Sequence, residues 1–160
     1  MAYEVFLDSS DTNFVIPVYQ RNYDWKKEQC KQLYDDLVNM IKYKYKSHFF
    51  GTIVSIYNDS GRNREYLIID GQQRITTISI LLLAIVNIIK ENRLKANGII
   101  KEKLTNQYLI NQYCEDDDRK LKLKPIKNDR QAFEKLFYNE DFIEDSNITS
   151  NYKYFYNRII

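Results

Sequence analysis

The sequence predicts a mixed α/β (α+β) fold: a small mixed sheet with a long central helix, followed by a mostly helical segment. Three observations carry that prediction. Short runs rich in β-branched and aromatic residues at 14–20, 49–57 and 65–69 read as strands, and the last two flank turn chemistry at 58–63 (NDSGRN). From Gln72 to about Leu94 the chain lacks helix breakers and is apolar nearly all round after Thr77, the pattern of a buried central helix. Cys30, Leu33, Tyr34, Leu37, Val38 and Ile41 recur at the spacing of one buried helical face.

The elements follow in order. The first strand, 14–20 (FVIPVYQ), surrounds Pro17, which has no N–H to give a ladder, so it belongs at a sheet edge or in an extended arm. Asp24 stands where a helix N-cap belongs, and the helix behind it runs from about Trp25 to Tyr45. The strands at 49–57 and 65–69 form a hairpin, and Asp70-Gly71 breaks the second before the central helix. Beyond Asn97 the pattern weakens to a helix at 101–113, an acidic turn at 115–118, an extended piece at 121–126 and a helix at 129–138. The last ten residues (NYKYFYNRII) begin another helix with aromatic anchors and stop in mid-pattern. This organisation predicts a core over 1–95 and a helical extension over 96–160 that continues in a longer protein.

Composition narrows the function classes. With 160 residues, one domain is the default. The 44% hydrophobic content against 29% charged residues excludes disorder of the highly charged kind. Lys and Arg number 24 against 22 Asp and Glu, so only a local patch would speak for nucleic acid. The single histidine, His48, excludes a multi-histidine zinc site and argues against a self-contained His-based nuclease centre; its place before Phe49-Phe50-Gly51 leaves a structural or a pocket role open. No residue set is assigned as metal ligands. Cys30 and Cys114 match no metal or redox spacing and read as free thiols in a reducing cytosol. Residues 1–8 lack the features of a signal peptide, and the apolar run 78–89 is shorter than the about 20 residues a bilayer needs. A soluble, cytoplasmic protein with no membrane partner is expected.

The chemistry concentrates at 66–80 (YLIIDGQQRITTISI), where a buried strand ends, one glycine turns the chain and a long helix starts. The first N–H groups of such a helix have no intrahelical partners and carry the positive end of its dipole, so they attract phosphate. Gly71 permits close approach, Arg74 supplies a bidentate partner, and Gln72, Gln73, Thr76 and Thr77 add polar groups on the first turns. The alternative is structural: Asp70 and Gln73 have the spacing of a capping box, with Arg74 in an ordinary surface pair. No Walker A motif is present, which excludes an ordinary P-loop. A second cluster, 16–25 (IPVYQRNYDW), sets Gln20 and Arg21 among Tyr19, Tyr23 and Trp25; such aromatics either stack a nucleobase beside the arginine or form a packing edge. The run Lys42-Tyr43-Lys44-Tyr45-Lys46 reads either as a solvated helix end or as a contact to a DNA backbone.

Together these motifs resemble the amino-terminal, DGQQR-motif domain of GmrSD-type modification-dependent restriction proteins. The matching positions are Ile16, Pro17, Tyr19, Gln20, Arg21, Tyr23 and Trp25; Tyr34 to Leu37; Phe50 and Gly51; and Asp70 through Arg74 with Thr76 and Thr77. The resemblance covers about the first 90 residues. It implies a ParB/sulfiredoxin-like fold that binds and hydrolyses a nucleoside triphosphate (GTP, ATP, CTP or UTP), with Mg²⁺ in attendance, as part of phage defence. By the same resemblance Asp70, Gln72, Gln73 and Arg74 are the catalytic residues, and Gln20, Arg21, Gly51, Gly71, Arg74, Thr76 and Thr77 bind the nucleotide. Arg74 and the helix N-terminus would hold the terminal phosphate, Arg21 would approach from the other side, and Gln72 or Gln73 would orient water. Asp70 would either cap the helix or reach Mg²⁺ through water. Cutting of modified DNA would fall to an HNH-type nuclease domain downstream or on a partner. Two other functions stay open, a non-catalytic nucleotide sensor and a DNA-contacting module, as does homo-oligomerisation.

Overall fold

A computed structural model describes residues 11–59, 64–96, 98–114 and 120–160. The expected acidic turn at 115–118, the tip of the 58–63 turn and the amino-terminal octapeptide lie outside the described residues. The fold is mixed α/β, as expected, with one sheet of four strands, β1 (Thr12–Val15), β2 (Val54–Asp59), β3 (Arg64–Asp70) and β4 (Leu123–Lys124), in the order β2-β3-β1-β4.

The first strand, β1, is Thr12–Val15. It runs parallel to β3 (Arg64–Asp70) on one side and to β4 (Leu123–Lys124) on the other, with Phe14 opposite both Tyr66 and Leu123. The edge position expected for this strand is therefore corrected: β1 is interior. Pro17 does not obstruct that, because the strand ends at Val15 and the last ladder bond is donated by the Ile16 N–H to Lys124 O at 3.0 Å. The hairpin is present: β2 (Val54–Asp59) pairs antiparallel with β3, with a bulge between Val54 and Ser55. β2 starts five residues later than expected, and Phe49 is exposed.

The helix α1 spans Lys27–Lys42, shorter at both ends than its expected span, and Asp24 is not its cap. The cap position falls on Lys26, whose N–H donates to Gln29 Oε1 at 2.9 Å. The central helix α2 (Gln72–Lys90) has 14 of its 19 residues buried. It is long and apolar enough to cross a membrane, but 78% of its apolar window is buried inside the fold, so here it is the core helix. A shorter helix than expected, α3 (Gly98–Leu104), runs into a π-helical turn, Thr105–Leu109. Two further helices, α4 (Lys127–Phe137) and α5 (Asn147–Ile159), complete the described elements. Ser146 caps α5 by accepting from the Ile148 N–H at 3.1 Å.

Burial follows from that arrangement. Phe14, Ile16, Ile68, Ile75 and Leu123 form a small cluster between the sheet and the start of α2. The larger cluster joins α2 (Ile80, Leu83, Ala84, Val86) to α1 (Cys30, Leu33), α4 (Phe133, Leu136) and α5 (Ile148, Phe155). Each fully buried aliphatic side chain of this kind contributes about 1.5–3 kcal/mol by leaving water. Asn87, buried on α2, keeps its amide satisfied by donating to Tyr152 Oη at 2.9 Å and to Leu136 O at 3.3 Å, which joins three helices through one polar group. Residues on both sides of position 95 thus share the sheet and the apolar interior.

Candidate functional site

The carboxyl end of β3 meets the amino end of α2 at Gly71, which adopts φ +91°. A Cβ there would lie 2.9 Å from Thr52 O and 3.0 Å from Ile53 Cγ1, so both the conformation and the close approach of residues 52–53 require glycine. The capping box read from the Asp70–Gln73 spacing does not form. Gly71 itself occupies the cap position, and Asp70 Oδ1 accepts from the adjacent Gly71 N–H at 2.9 Å. Among the described residues no side chain caps α2, and the carboxylate of Asp70, bonded to the Gly71 N–H, is the acidic group that stands at the positive end of its dipole.

That end opens into a cleft of about 410 Å³, lined by Gln20, Arg21, Trp25 and the continuous stretch from Ile69 to Arg74. The two arginines and single aspartate among these side chains leave the walls net positive. The two motifs singled out in the sequence, fifty residues apart, are thereby brought to one place.

Gln73 builds the rim. It is buried, and its Oε1 accepts from the Asp24 N–H at 2.9 Å and the Trp25 N–H at 3.4 Å while its Nε2 donates to Asn22 O at 3.1 Å. Both ends of its amide are occupied in holding the 22–25 loop. Gln20 donates from Nε2 to Ile69 O at 3.1 Å and accepts from Gln72 Nε2 at 3.3 Å, which ties the other motif to the strand end. Arg74 donates from Nη1 to Thr52 O at 2.9 Å. Its guanidinium lies across Gly51 (φ +97°), where a Cβ would come within 2.7 Å of Nε. Gly51 is not a wall of the cleft; it makes room for the arginine that is. Arg21 pairs with Asp24 at 3.1 Å, both well exposed, an interaction water screens heavily.

Thr76 and Thr77 are not brought to the cleft. Both are buried, and each hydroxyl donates to the carbonyl four residues back, Gln72 O and Gln73 O, at 2.7 Å. Thr77 also meets the Tyr23 hydroxyl at 2.7 Å. Burial pushes the Tyr23 phenol far above its ordinary value, so it serves as a neutral hydrogen-bonding hydroxyl. His48 faces Asp36 on α1 at 3.7 Å and does not line the cleft.

Three supporting residues escaped the sequence reading. Asn151 Nδ2 donates to Tyr23 Oη at 2.9 Å and to Trp25 O at 2.8 Å, and Asn147 Nδ2 donates to Tyr23 O at 3.1 Å. The Tyr23 N–H is accepted by Asp129 Oδ2 at 2.7 Å, and burial raises that carboxyl above its usual range. The only signal for the two asparagines was their spacing of four on an otherwise apolar helical stripe with Ile148, Tyr152 and Phe155.

No curated protein matches this chain. The family model described as the N-terminal domain of GmrSD restriction endonuclease matches residues 3–159, nearly the whole length, including the strand–glycine–helix junction and the arginine-bearing loop opposite it. The chain therefore belongs to the family of GmrSD restriction endonuclease N-terminal domains, and is a domain of a restriction system.

Proposed function

We propose that this domain binds a nucleoside triphosphate in the cleft at the start of α2 and hydrolyses it, and that the result governs a nuclease domain fused to it or carried by a partner. The observation that carries the reading is a long helix whose amino end begins at a left-handed glycine, bears no side-chain cap, and opens into a cleft with Arg74 and Arg21 in its walls. Main-chain donors, a helix dipole and a guanidinium converging on one space suit a polyphosphate. Phosphate is common to GTP, ATP, CTP and UTP, so this part of the site does not choose among them.

The residues present bear on Mg²⁺ as well. Among the described residues Asp70 is the one carboxylate lining the cleft, and no group of three metal-binding side chains occurs. A Mg²⁺ here would take most of its oxygens from phosphates and water, as is usual for this ion, with Asp70 as the protein contribution. Catalysis would rest on positioning and charge. Of the two glutamines, Gln72 suits the orientation of water, since its Oε1 is unengaged among the described residues while both ends of the Gln73 amide are occupied. Calorimetric titration with each triphosphate and Mg²⁺ tests binding. Arg74→Ala should abolish it and shift the thermal transition little, since only one bond to a main-chain carbonyl is lost. Phosphate release tests turnover: binding with a flat baseline for all four nucleotides would reduce the domain to a sensor.

A second reading is favoured by a separate surface. Lys42, Lys44 and Lys46 are exposed around Tyr43 and Tyr45, whose rings lie 5.8 Å apart, and none of the three pairs with a carboxylate among the described residues. Such a patch suits a DNA backbone, which a restriction domain would meet.

A further inference from the structure

The phosphate-binding reading leaves one cleft wall unused, and we infer that Trp25 is the nucleobase subsite of the same cleft. This rests on the nucleotide reading of the preceding section and goes beyond it by naming where the base lies.

Three aromatic residues of the 16–25 motif compete for that role, and their placements separate them. Tyr19 is 73% exposed and does not line the cleft. Tyr23 is buried, its hydroxyl tied to Thr77 and Asn151 and its main chain to Asp129 and Asn147. Trp25 alone of the three lines the cleft, half-buried, in company with Arg21 and the α2 amino end.

The indole is also held in place before any ligand arrives. The Trp25 main chain is fixed by its N–H reaching Gln73 Oε1 at 3.4 Å and its carbonyl accepting from Asn151 at 2.8 Å, while the ring packs against the larger apolar cluster and meets Phe50 at 6.3 Å with the planes 83° apart. A ring fixed this way loses little freedom on binding, the condition under which stacking contributes most. Trp25 is joined through Gln73 to the first turn of α2, so the base wall and the phosphate wall are parts of one braced unit. Stacking on indole tolerates every base, because each presents a π face. The Gln20 amide, engaged at both ends, is not available to read base edges. The subsite therefore requires a base more than it selects one.

The chain contains a single tryptophan, so its fluorescence reports on this residue alone. The 160-residue chain is titrated with ATP, with UTP and with inorganic tripolyphosphate, each with Mg²⁺, while calorimetry follows binding in parallel. Both nucleotides should quench the emission saturably, and tripolyphosphate should bind more weakly and leave it unchanged. Trp25→Ala should weaken nucleotide binding about tenfold to hundredfold, the worth of one base–aromatic stack, and leave tripolyphosphate affinity within about twofold. Trp25→Phe should restore most of the loss. Equal affinity for nucleotides and tripolyphosphate, without quenching, overturns the base subsite and leaves the phosphate reading standing; this comparison needs only the parent chain and holds even where the alanine variant does not fold. Absence of binding by all three ligands overturns the phosphate reading and the subsite with it. A DNA duplex that quenches Trp25 when the nucleotides do not overturns the assignment in favour of an extruded base.

Discussion

Replacing Gln73 by alanine should loosen the cleft rim before it affects any chemistry. The side chain is 5% exposed and supports the 22–25 loop through bonds of 2.9 and 3.1 Å, with a weaker one at 3.4 Å. Each well-formed bond contributes about 0.5–1.5 kcal/mol net, and a buried partner left unsatisfied costs about 1–3 kcal/mol. Asp24 and Asn22 are themselves exposed, so water replaces part of what is lost. The sum is about 2 kcal/mol, which for a chain of this size lowers the thermal midpoint by about 4–8 °C. Gln72→Ala, losing a single 3.3 Å bond, should cost under about 1 kcal/mol. Gln73→Glu keeps the acceptor for Asp24 N–H but sets a buried carboxylate oxygen against Asn22 O, and should cost at least as much as alanine. Thermal and urea unfolding of the three variants measure the order. A Gln73→Ala protein that melts within about 1 °C of the parent would refute the claim that this amide holds the loop.

Gly51→Ala should both destabilise the fold and weaken nucleotide binding. A non-glycine residue at positive φ costs about 1–2 kcal/mol, and the new Cβ, 2.7 Å from Arg74 Nε, displaces the guanidinium; calorimetry showing unchanged triphosphate affinity would contradict this. Replacing Lys42, Lys44 and Lys46 together by alanine should lower the salt dependence of duplex binding by a slope of about 2–3, since each phosphate contact contributes about 0.9; an unchanged slope removes the DNA reading of that surface. Burial raises the Cys30 thiol to about 11. At pH 8 only about one molecule in a thousand carries the thiolate, so iodoacetamide should leave Cys30 unmodified until the protein unfolds, as peptide mass mapping would show.

Much of this was legible. The 3.6-residue spacing of Cys30, Leu33 and Leu37 and the breaker-free apolar run after Thr77 located α1 and α2, because periodicity and burial are properties of the segment itself. The convergence of Gln20 and Arg21 with 70–74 followed from motif resemblance and was not readable from spacing. What failed depended on distant partners. Pro17 suggested an edge strand because nothing in a two-residue segment such as Leu123–Lys124 announces that it closes the far side of the sheet. The Asp70–Gln73 spacing suits a capping box, but the left-handed Gly71 takes the cap position, and Gln73 is drawn instead to the 22–25 loop. Thr76 and Thr77 read as cleft residues by position; bonding to the preceding turn satisfies their hydroxyls and lets them be buried.

Every described residue lining the cleft lies at or before Arg74, yet the loop carrying Trp25 is sewn to Asp129, Asn147 and Asn151. During synthesis the cleft thus reaches its described shape late, only after α5 has left the ribosome and docked. A chain halted upstream of that helix would carry both sequence signatures intact and still leave the 22–25 loop without the bonds from Asn147 and Asn151.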